Sequence, residues 1–383
     1  DDLKTIAVKD TGRGIPIANK TDGILNYVLL FETLFAGSNY SNNEYGKVTV
    51  GTNGCGSCVI NHTSELFEVA SARDGYLHEV RYENGGKLVH FKKISESDDH
   101  FTIVRFRLDD EVYTNTIYNP NEIREICKWN AAVNNKVTIK FYYQDEISEY
   151  HYDSTEDYFD EVTANNTSPK LVVKKKSFDN QVEKNAIEVV IATSSEPVQQ
   201  TFLNSNYLPE HGSIYDGIIN GTRSFINKYC KDNNLLDKKI GNISNGDIEE
   251  SLSFVASIES TNVEFSNQTK FSTNKKLYKD ITQSYVQEML TVMLAENPKG
   301  FEKIVKHILE VQKFNSKAQA NKKALKKKLS EKIDSISNRV EGLVDCKYHG
   351  EDSELYIAEG KSALGSIVLA RNPQNQAVIP IRG

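Results

Sequence analysis

Two short glycine-rich stretches decide the fold: AVKDTGRGIPI at residues 7–17 and GTNGCGSCVI at residues 51–60. In the first, Asp10 ends a strand-like segment and is followed by Gly12 and Gly14. A carboxylate in this position can accept a hydrogen bond from an exocyclic amine, and the glycines let a flat base approach the backbone. The stretch is typical of one half of a nucleotide site, although an aspartate of this kind also commonly caps a turn.

The second stretch predicts a loop that leads into a helix. Gly51, Asn53, Gly54 and Gly56 leave backbone N–H groups unpaired at the start of that helix, where the dipole end is positive. Such a helix start favours the binding of a polyphosphate. Either glycine stretch alone is a weak signal, but their order and their separation of about forty residues together predict a nucleotide site.

The same stretch contains a C-x-x-C pair, Cys55 and Cys58, which suggests a redox couple or half of a zinc site. A zinc site needs two further ligands, and the eight histidines show no spacing typical of metal ligands. We therefore interpret the stretch as a phosphate loop in which the backbone N–H of Cys55 is used and its thiol is incidental.

Length and composition limit the class of protein. A chain of 383 residues favours two or three domains, and 38% hydrophobic with 26% charged residues is ordinary for a globular protein. The sequence contains no run of eighteen apolar residues, so it predicts no membrane-spanning helix. Its five scattered cysteines favour a reducing compartment. The net charge of -7 argues against a nonspecific DNA coat, although residues 313–332 are rich in lysine. Because residue 1 is Asp, we expect the chain to lie inside a longer gene product.

The pattern along the chain predicts an α/β protein in three parts. Residues 1–165 alternate strand-like runs with helix-like segments at 23–35 and 121–135, and short turns favour mostly antiparallel pairing. A polar patch near 165 precedes a second α/β unit, 166–350, which ends in long helices broken at Asn297-Pro298. Residues 351–383 read as a strand, a glycine and a helix, the start of a third domain.

Taken together, AVKDTGRGIPI and LFETLFAGSNYSNNEYGKVTVGTNGCGSCVIN resemble the ATPase of type II DNA topoisomerases, the DNA gyrase B family of the GHKL superfamily. VEFSNQTK at 263–270 resembles the family's transducer loop. ELYIAEGKSALGSIVLARNPQNQAVIPIRG, which begins at residue 354, resembles the start of its Toprim domain. The resemblance implies a GHKL (Bergerat) ATPase sandwich in 1–165, a ribosomal-protein-like transducer with a long helix in 166–350, and a Toprim start in 351–383.

The resemblance also implies roles for individual residues, with ATP and Mg²⁺ as cofactors. The implied ATP-binding residues are Asp10, Gly12, Gly14, Ile15, Pro16, Lys47, Gly51, Asn53, Gly54, Cys55, Gly56 and Thr102. Gln268 and Lys270 are implied to reach the γ-phosphate, where a lysine supplies a point charge to the breaking bond. Glu359 is implied to act in DNA cleavage through a metal ion. The alternatives from the residues alone are a surface lysine at 270 and a solvated charge at 359.

The chain departs from the family at several positions. Val50 replaces the first glycine of the phosphate loop, Phe101 replaces the glycine before Thr102, and Lys361 stands where the Toprim motif has an aspartate. The family's general-base glutamate and magnesium-binding asparagine lie upstream of the aspartate turn, and residues 1–383 contain no counterpart. We therefore expect this stretch alone to bind nucleotide poorly and not to hydrolyse it by the family mechanism.

The expected activity is that of the ATPase and clamp component of a type II DNA topoisomerase. The expected partners are DNA and a second copy of the chain in a homodimer, and no membrane association is expected. A cleavage subunit or C-terminal region would supply the active tyrosine, and the expected location is the cytoplasm, or a host's cytoplasm for a phage-type version. Two alternatives remain open: a MutL-like clamp, and a degenerate clamp that binds DNA without turnover. The lysine-rich helix is either a solvated face or a DNA-facing surface.

Overall fold

The computed structural model describes residues 3–36, 51, 54–164, 169–180, 183–337 and 342–381; the side chains of residues 172–175, 327–337 and 361 are outside this description. The chain divides into two compact units, residues 1–311 and 312–383. Among the described residues, no helix is both long and apolar enough to cross a membrane. The three-part division at residues 165 and 350 stays a prediction.

The first unit contains runs of consecutive strands separated by helices. The strands of the first unit are β1 Thr5–Asp10, β2 Lys20–Thr21, β3 Ile24–Leu25, β4 Ser64–Arg73, β5 Tyr76–Glu83, β6 Lys87–Glu96, β7 Phe101–Leu108, β8 Ile139–Tyr143, β9 Glu146–Tyr150, β10 Leu171–Asp179, β11 Lys184–Thr193, β12 Gln199–Leu203, β13 Asn206–Tyr207 and β14 Leu252–Ser260. The helices that begin in this unit are α1 Asn26–Phe31, α2 Gly56–His62, α3 Pro120–Val133, α4 Thr155–Val162, α5 Ser213–Asp232, α6 Asn245–Glu249, α7 Lys276–Glu296 and α8 Pro298–Ser337.

The first sheet has the strand order β1-β7-β4-β5-β6, and every neighbouring pair is antiparallel. Alternate residues of β4, such as Phe67 and Val69, point inward because successive side chains of a strand face opposite sides. They form a core with Tyr27 and Phe31 of α1, and the rings of Phe31 and Phe67 meet edge to face at 5.3 Å. The predicted antiparallel α/β sandwich is confirmed.

The predicted helix at residues 23–35 is too long. Ile24 and Leu25 pair instead with residues 20–21 in the small β2-β3 hairpin, and α1 occupies only Asn26–Phe31. Gly23 has φ +82° at the tip of this hairpin, a conformation that glycine adopts without strain and that a helix interior does not allow. Apolar spacing alone could not distinguish this hairpin from the start of a helix.

The second sheet, β10-β11-β14-β12-β13, is covered on both faces. One face carries a core shared with α5, α7 and the start of α8. On the other face, Ala131 and Ala132 of α3 and Phe159 of α4 pack in a core with Val190 and Val255. Burial on both faces explains why β14, LSFVASIES, is buried along almost its whole length and lacks polar alternation.

The long helical segment breaks at Asn297, as the Asn-Pro pair predicts. Asn297 leaves the helical conformation with ψ +67°, and α8 starts at Pro298, where the missing N–H of proline costs nothing. The side chain of Asn297 accepts a hydrogen bond from the backbone N–H of Gly300 at 3.0 Å and so caps α8.

The second unit contains a parallel pair of strands joined by a helix. Strands β15, Glu354–Glu359, and β16, Gln376–Ile381, pair in parallel, and α9, Gly360–Ala370, forms the crossover. The predicted order of strand, glycine and helix is confirmed, while its assignment to a Toprim domain remains a prediction.

Candidate nucleotide site

The aspartate turn lies at the end of β1 and is fixed to the sheet behind it. Asp10 is exposed, and its Oδ1 accepts a hydrogen bond from the backbone N–H of Gly12 at 2.8 Å. Asp10 pairs with Thr102 across β1 and β7, and the Thr102 hydroxyl accepts a hydrogen bond from the N–H of Ile15 at 3.2 Å. Asp10 therefore caps its own turn, and its side chain is exposed.

Two side chains of β4 donate hydrogen bonds to backbone carbonyls of the turn that follows Asp10. The Ser71 hydroxyl donates to the carbonyl of Ile15 at 2.8 Å, and Nη1 of Arg73 donates to the carbonyl of Gly14 at 2.9 Å. Gly14 has φ +74°, and a Cβ there would lie 2.4 Å from the carbonyl oxygen of Ala72. Only glycine fits this position without moving the backbone of β4.

A cavity of about 320 Å³ opens beside the turn. Ile15 and Pro16 form part of its wall, together with Arg73, Tyr76 and His78 from β4 and β5. Burial lowers the pKa of His78, and the nearby ammonium group of Lys93 lowers it further, so this imidazole is neutral at pH 7. The cavity wall thus combines apolar and aromatic side chains with a few polar groups, among them Asn19, Arg73 and Asp74, as ligand pockets generally do.

The described part of the phosphate loop agrees with a turn that leads into a helix. Gly54 has φ +59°, Cys55 precedes the helix, and α2 begins at Gly56. A Cβ added at Gly51 or Gly56 would meet no atom of the described residues within 4 Å, so the backbone there is open on the side that they would cover. Val50, Lys47 and Asn53, three residues named from the sequence, lie outside the described residues.

Cys58 is buried in α2, and its Sγ lies 3.7 Å from Nδ1 of His62. Burial raises the pKa of the Cys58 thiol, and the nearby Cys55 and Glu32 raise it further. A thiol held in its protonated form is a poor redox nucleophile and a poor metal ligand. These surroundings favour the phosphate-loop interpretation of the C-x-x-C pair.

The predicted transducer loop reaches the phosphate loop. Nε2 of Gln268 donates a hydrogen bond to Sγ of Cys55 at 3.4 Å, although 213 residues separate them. Lys270 lies two residues further on with φ +61°, and its carbonyl accepts a hydrogen bond from Nδ2 of Asn206 at 2.7 Å. The structure therefore places Gln268 beside Cys55 of the predicted phosphate loop, while its contact with the γ-phosphate stays a prediction.

An ion pair anchors the base of the transducer loop. Nζ of Lys275 lies 2.5 Å from Oε2 of Glu183, which is buried, and also donates to the carbonyl of Asn262 at 2.7 Å. Inside the loop, the Thr273 hydroxyl donates to the carbonyl of Glu264 at 2.7 Å. The loop that carries Gln268 is thus fixed at its base to the second sheet.

The remaining predicted site residue, Glu359, is in the second unit. It is exposed at the end of β15, directly before Gly360, which has φ +79°. Glu359 belongs to no group of three potential metal ligands within the described residues. The side chain of Lys361 is outside the described part, so the effect of this substitution on metal binding stays a prediction.

Sequence reasoning missed several residues of the site. Ser71, Arg73 and His78 lie in strand-like runs of the sequence, and Tyr76 lies just before one, but no local signal shows that they border the aspartate turn. Their position follows only from strand order, because β4 lies next to β7, which in turn pairs with β1.

Comparisons with known proteins agree with these observations. The sequence profile of the DNA gyrase B family matches residues 154–327. DNA gyrase B of Streptococcus pyogenes is 28% identical over 99% of this chain, and that of Thermotoga maritima is 29% identical over 99%. The chain spans about three fifths of the length of these relatives, 59% and 61%.

Solved structures show the same fold. The topoisomerase IV ATP-binding domain of Francisella tularensis superposes with a TM-score of 0.63 at 23% identity, covering 82% of this chain and 85% of that one. The 43K ATPase domain of Thermus thermophilus gyrase B gives a TM-score of 0.58 at 18% identity, covering 85% of each chain. The resemblance seen in the motifs is confirmed: over 99% of its length this chain is similar to DNA gyrase B, and it shares the fold of the ATPase domains of type II topoisomerases.

Proposed function

We propose that this chain is the ATP-operated clamp region of a type II DNA topoisomerase. The observation that carries the proposal is the hydrogen bond between Gln268 and Cys55, which joins the transducer loop to the phosphate loop. A nucleotide in this position would touch residues attached to both sheets of the first unit. Binding it would therefore couple the two sheets, as a clamp that responds to ATP requires.

We assign the residues the roles that the family resemblance implies and that their surroundings allow. The second oxygen of Asp10 accepts a hydrogen bond from the adenine amine, while Ile15 and Pro16 pack against the base. Backbone N–H groups of residues 54–56 hold the phosphates. Gln268 and Lys270 contact the γ-phosphate, and the lysine stabilises the charge that develops as the phosphoryl group leaves.

Magnesium is the metal that we propose for the cleavage chemistry, with Glu359 as a ligand. Magnesium is commonly held by one or two carboxylates together with phosphates and water, so a single exposed glutamate at a strand end fits part of such a site. The ion would supply Lewis-acid stabilisation of phosphate charge. Glu359 would hold it beside the start of α9, while a tyrosine on another chain or region attacks DNA.

We further propose that two copies close around DNA, with the nucleotide favouring the closed dimer. The described lysines of α8 between residues 313 and 326 are exposed. Their exposure is compatible with either alternative, a solvated helix face or a surface that contacts DNA phosphates. Because its proposed substrate is DNA, we propose that the protein acts in the cytoplasm.

The function is tested by measuring DNA-dependent ATP hydrolysis and relaxation of supercoiled plasmid, using the full-length protein with its cleavage subunit. We expect ATP turnover that DNA stimulates and relaxation that requires ATP. DNA binding with neither activity would contradict the proposal and favour the degenerate clamp, for which Lys361 in the Toprim-like motif is the motivation.

A further inference from the structure

A short loop in the second unit gathers three side chains with different donor atoms. Asp345, Cys346 and His349 each offer one oxygen, sulfur or nitrogen, and these atoms all lie within 4.8 Å of one another. Cys346 is buried, Asp345 is half-buried and His349 is exposed, so the cluster is open to solvent on one side. We propose that it binds one divalent metal ion of the zinc class.

The backbone of this loop is already fixed. Val344 and Val378 exchange two main-chain hydrogen bonds of 2.7 and 2.8 Å. The N–H of Tyr348 donates to the carbonyl of Gln374 at 2.8 Å, and Nη1 of Arg371 donates to the carbonyl of Asp345 at 3.0 Å. Because the loop is held to the strand beside it, metal binding has to order little more than three side chains.

The three side chains also contact one another without a metal ion. Nε2 of His349 lies 3.1 Å from Oδ1 of Asp345 and 3.0 Å from the carbonyl of Cys346. The Cys346 thiol donates to the carbonyl of Tyr348 at 3.2 Å. On binding, the thiol proton is released to solvent, and the imidazole coordinates through Nε2 in its neutral form with the proton on Nδ1.

The donor set selects the metal. Thiolate and imidazole ligands favour Zn²⁺ and similar ions, whereas Mg²⁺ and Ca²⁺ prefer oxygen. Zinc bonds of about 2.0–2.3 Å in a tetrahedron place ligand atoms roughly 3.3–3.7 Å apart, so the cluster has to contract by about 1 Å. Three protein ligands leave a fourth position for water. The site is distinct from Glu359 and does not depend on the proposed nucleotide site.

Cobalt provides a direct test, because Co²⁺ bound to a thiolate gives a near-ultraviolet charge-transfer band. The full chain is reduced, freed of metal by a chelator and titrated with Co²⁺. We expect a band that saturates at one ion per chain and is displaced by Zn²⁺. Cys346→Ser should abolish the band, and His349→Ala should weaken Co²⁺ binding by at least about tenfold.

Two matched controls separate this site from chance contacts. Nε2 of His151 lies 3.2 Å from Oδ1 of Asp153, which is the same kind of pair without a sulfur ligand. His151→Ala should therefore change neither the Co²⁺ band nor the affinity for Co²⁺. Cys127→Ser, at a cysteine outside the cluster, should also leave the band intact. Circular dichroism checks that each variant folds. Because His349 is exposed, we expect His349→Ala to fold, so the proposal can still be tested if Cys346→Ser misfolds. No saturable band, or Co²⁺ binding by His349→Ala that is as tight as in the unmodified chain, would overturn the proposal.

Discussion

The two ends of the proposed nucleotide site are built in different ways. At the adenine end, the turn after Asp10 is held by hydrogen bonds from its own sheet, including those of Ser71 and Arg73. At the γ-phosphate end, a hydrogen bond from Gln268 to Cys55 joins loops attached to two different sheets. The adenine end is thus preformed, while the other end is where a bound nucleotide can link two parts of the molecule.

The largest expected effect is at the γ-phosphate end. Lys270→Ala should reduce ATP turnover in the full-length protein by about 10²–10³-fold, the usual cost of removing a group that stabilises transition-state charge. Alanine and lysine meet the same backbone constraint at φ +61°, so the substitution leaves the strain unchanged. Lys238→Ala, at an exposed lysine in a distant loop, serves as the control. Steady-state turnover that is unaltered in Lys270→Ala would refute the assigned role.

A stability comparison tests whether the adenine end is rigid. Gly14→Ala should lower the free energy of unfolding by about 3 kcal/mol, because it adds a left-handed backbone penalty to a Cβ placed 2.4 Å from the Ala72 carbonyl. Gly23→Ala, also at positive φ but with no atom of the described residues within 4 Å of the added Cβ, should cost only about 1 kcal/mol. Urea unfolding of both variants measures the difference. Equal losses would mean that the turn is not tightly packed against β4.

The carboxylate of Asp10 can be examined by two substitutions. Asp10→Ala removes both the turn cap and the proposed acceptor, and it should weaken ATP binding by about 2 kcal/mol, roughly thirtyfold. Asp10→Asn keeps an oxygen for the N–H of Gly12, so it should fold as stably as the unmodified protein. Its Nδ2 then faces the adenine amine with a donor in place of the acceptor, so it should lose at least as much affinity as Asp10→Ala. Calorimetric titration with ATP provides both affinities. Unchanged binding by Asp10→Ala would leave Asp10 as a turn cap only.

A smaller, kinetic effect is expected from thiol labelling. Cys55 is partly exposed at the contact with Gln268, whereas Cys58 is buried with a raised pKa. Iodoacetamide at pH 8 should therefore modify Cys55 faster than Cys58, because only the thiolate reacts. Saturating ATP should slow the modification of Cys55 and leave that of Cys127, a remote cysteine, unaltered. Mass spectrometry of peptides resolves the sites, and faster labelling of Cys58 would contradict this description.

Local patterns predicted much of the fold. The runs ELFEVASAR and FTIVRFRL are strands, Asn297-Pro298 divides two helices, and Gly56 begins a helix after the glycine loop. These features depend on alternation, on the missing N–H of proline and on glycine turns, all of which can be read within a few residues.

Contacts made across the sheets could not be read in this way. The bonds from Ser71 and Arg73 to the aspartate turn depend on strand order, and the early end of α1 depends on a hairpin formed by Ile24 and Leu25. The Gln268 contact was expected only through the resemblance, since no local signal links positions 213 residues apart. The sequence D-C-x-x-H at 345–349 is different, because its three potential ligands lie within five residues and sequence inspection alone could have found it.

The most direct test of the account compares ATP with ADP. If the transducer loop binds the γ-phosphate, the protein should bind ATP more tightly than ADP, and the double substitution Gln268→Ala with Lys270→Ala should reduce that preference to about one. Asp10→Ala should weaken both nucleotides equally and keep the preference, since the adenine is common to both. Calorimetric titration of the full-length protein measures these ratios, and a preference that survives the double substitution would contradict the account.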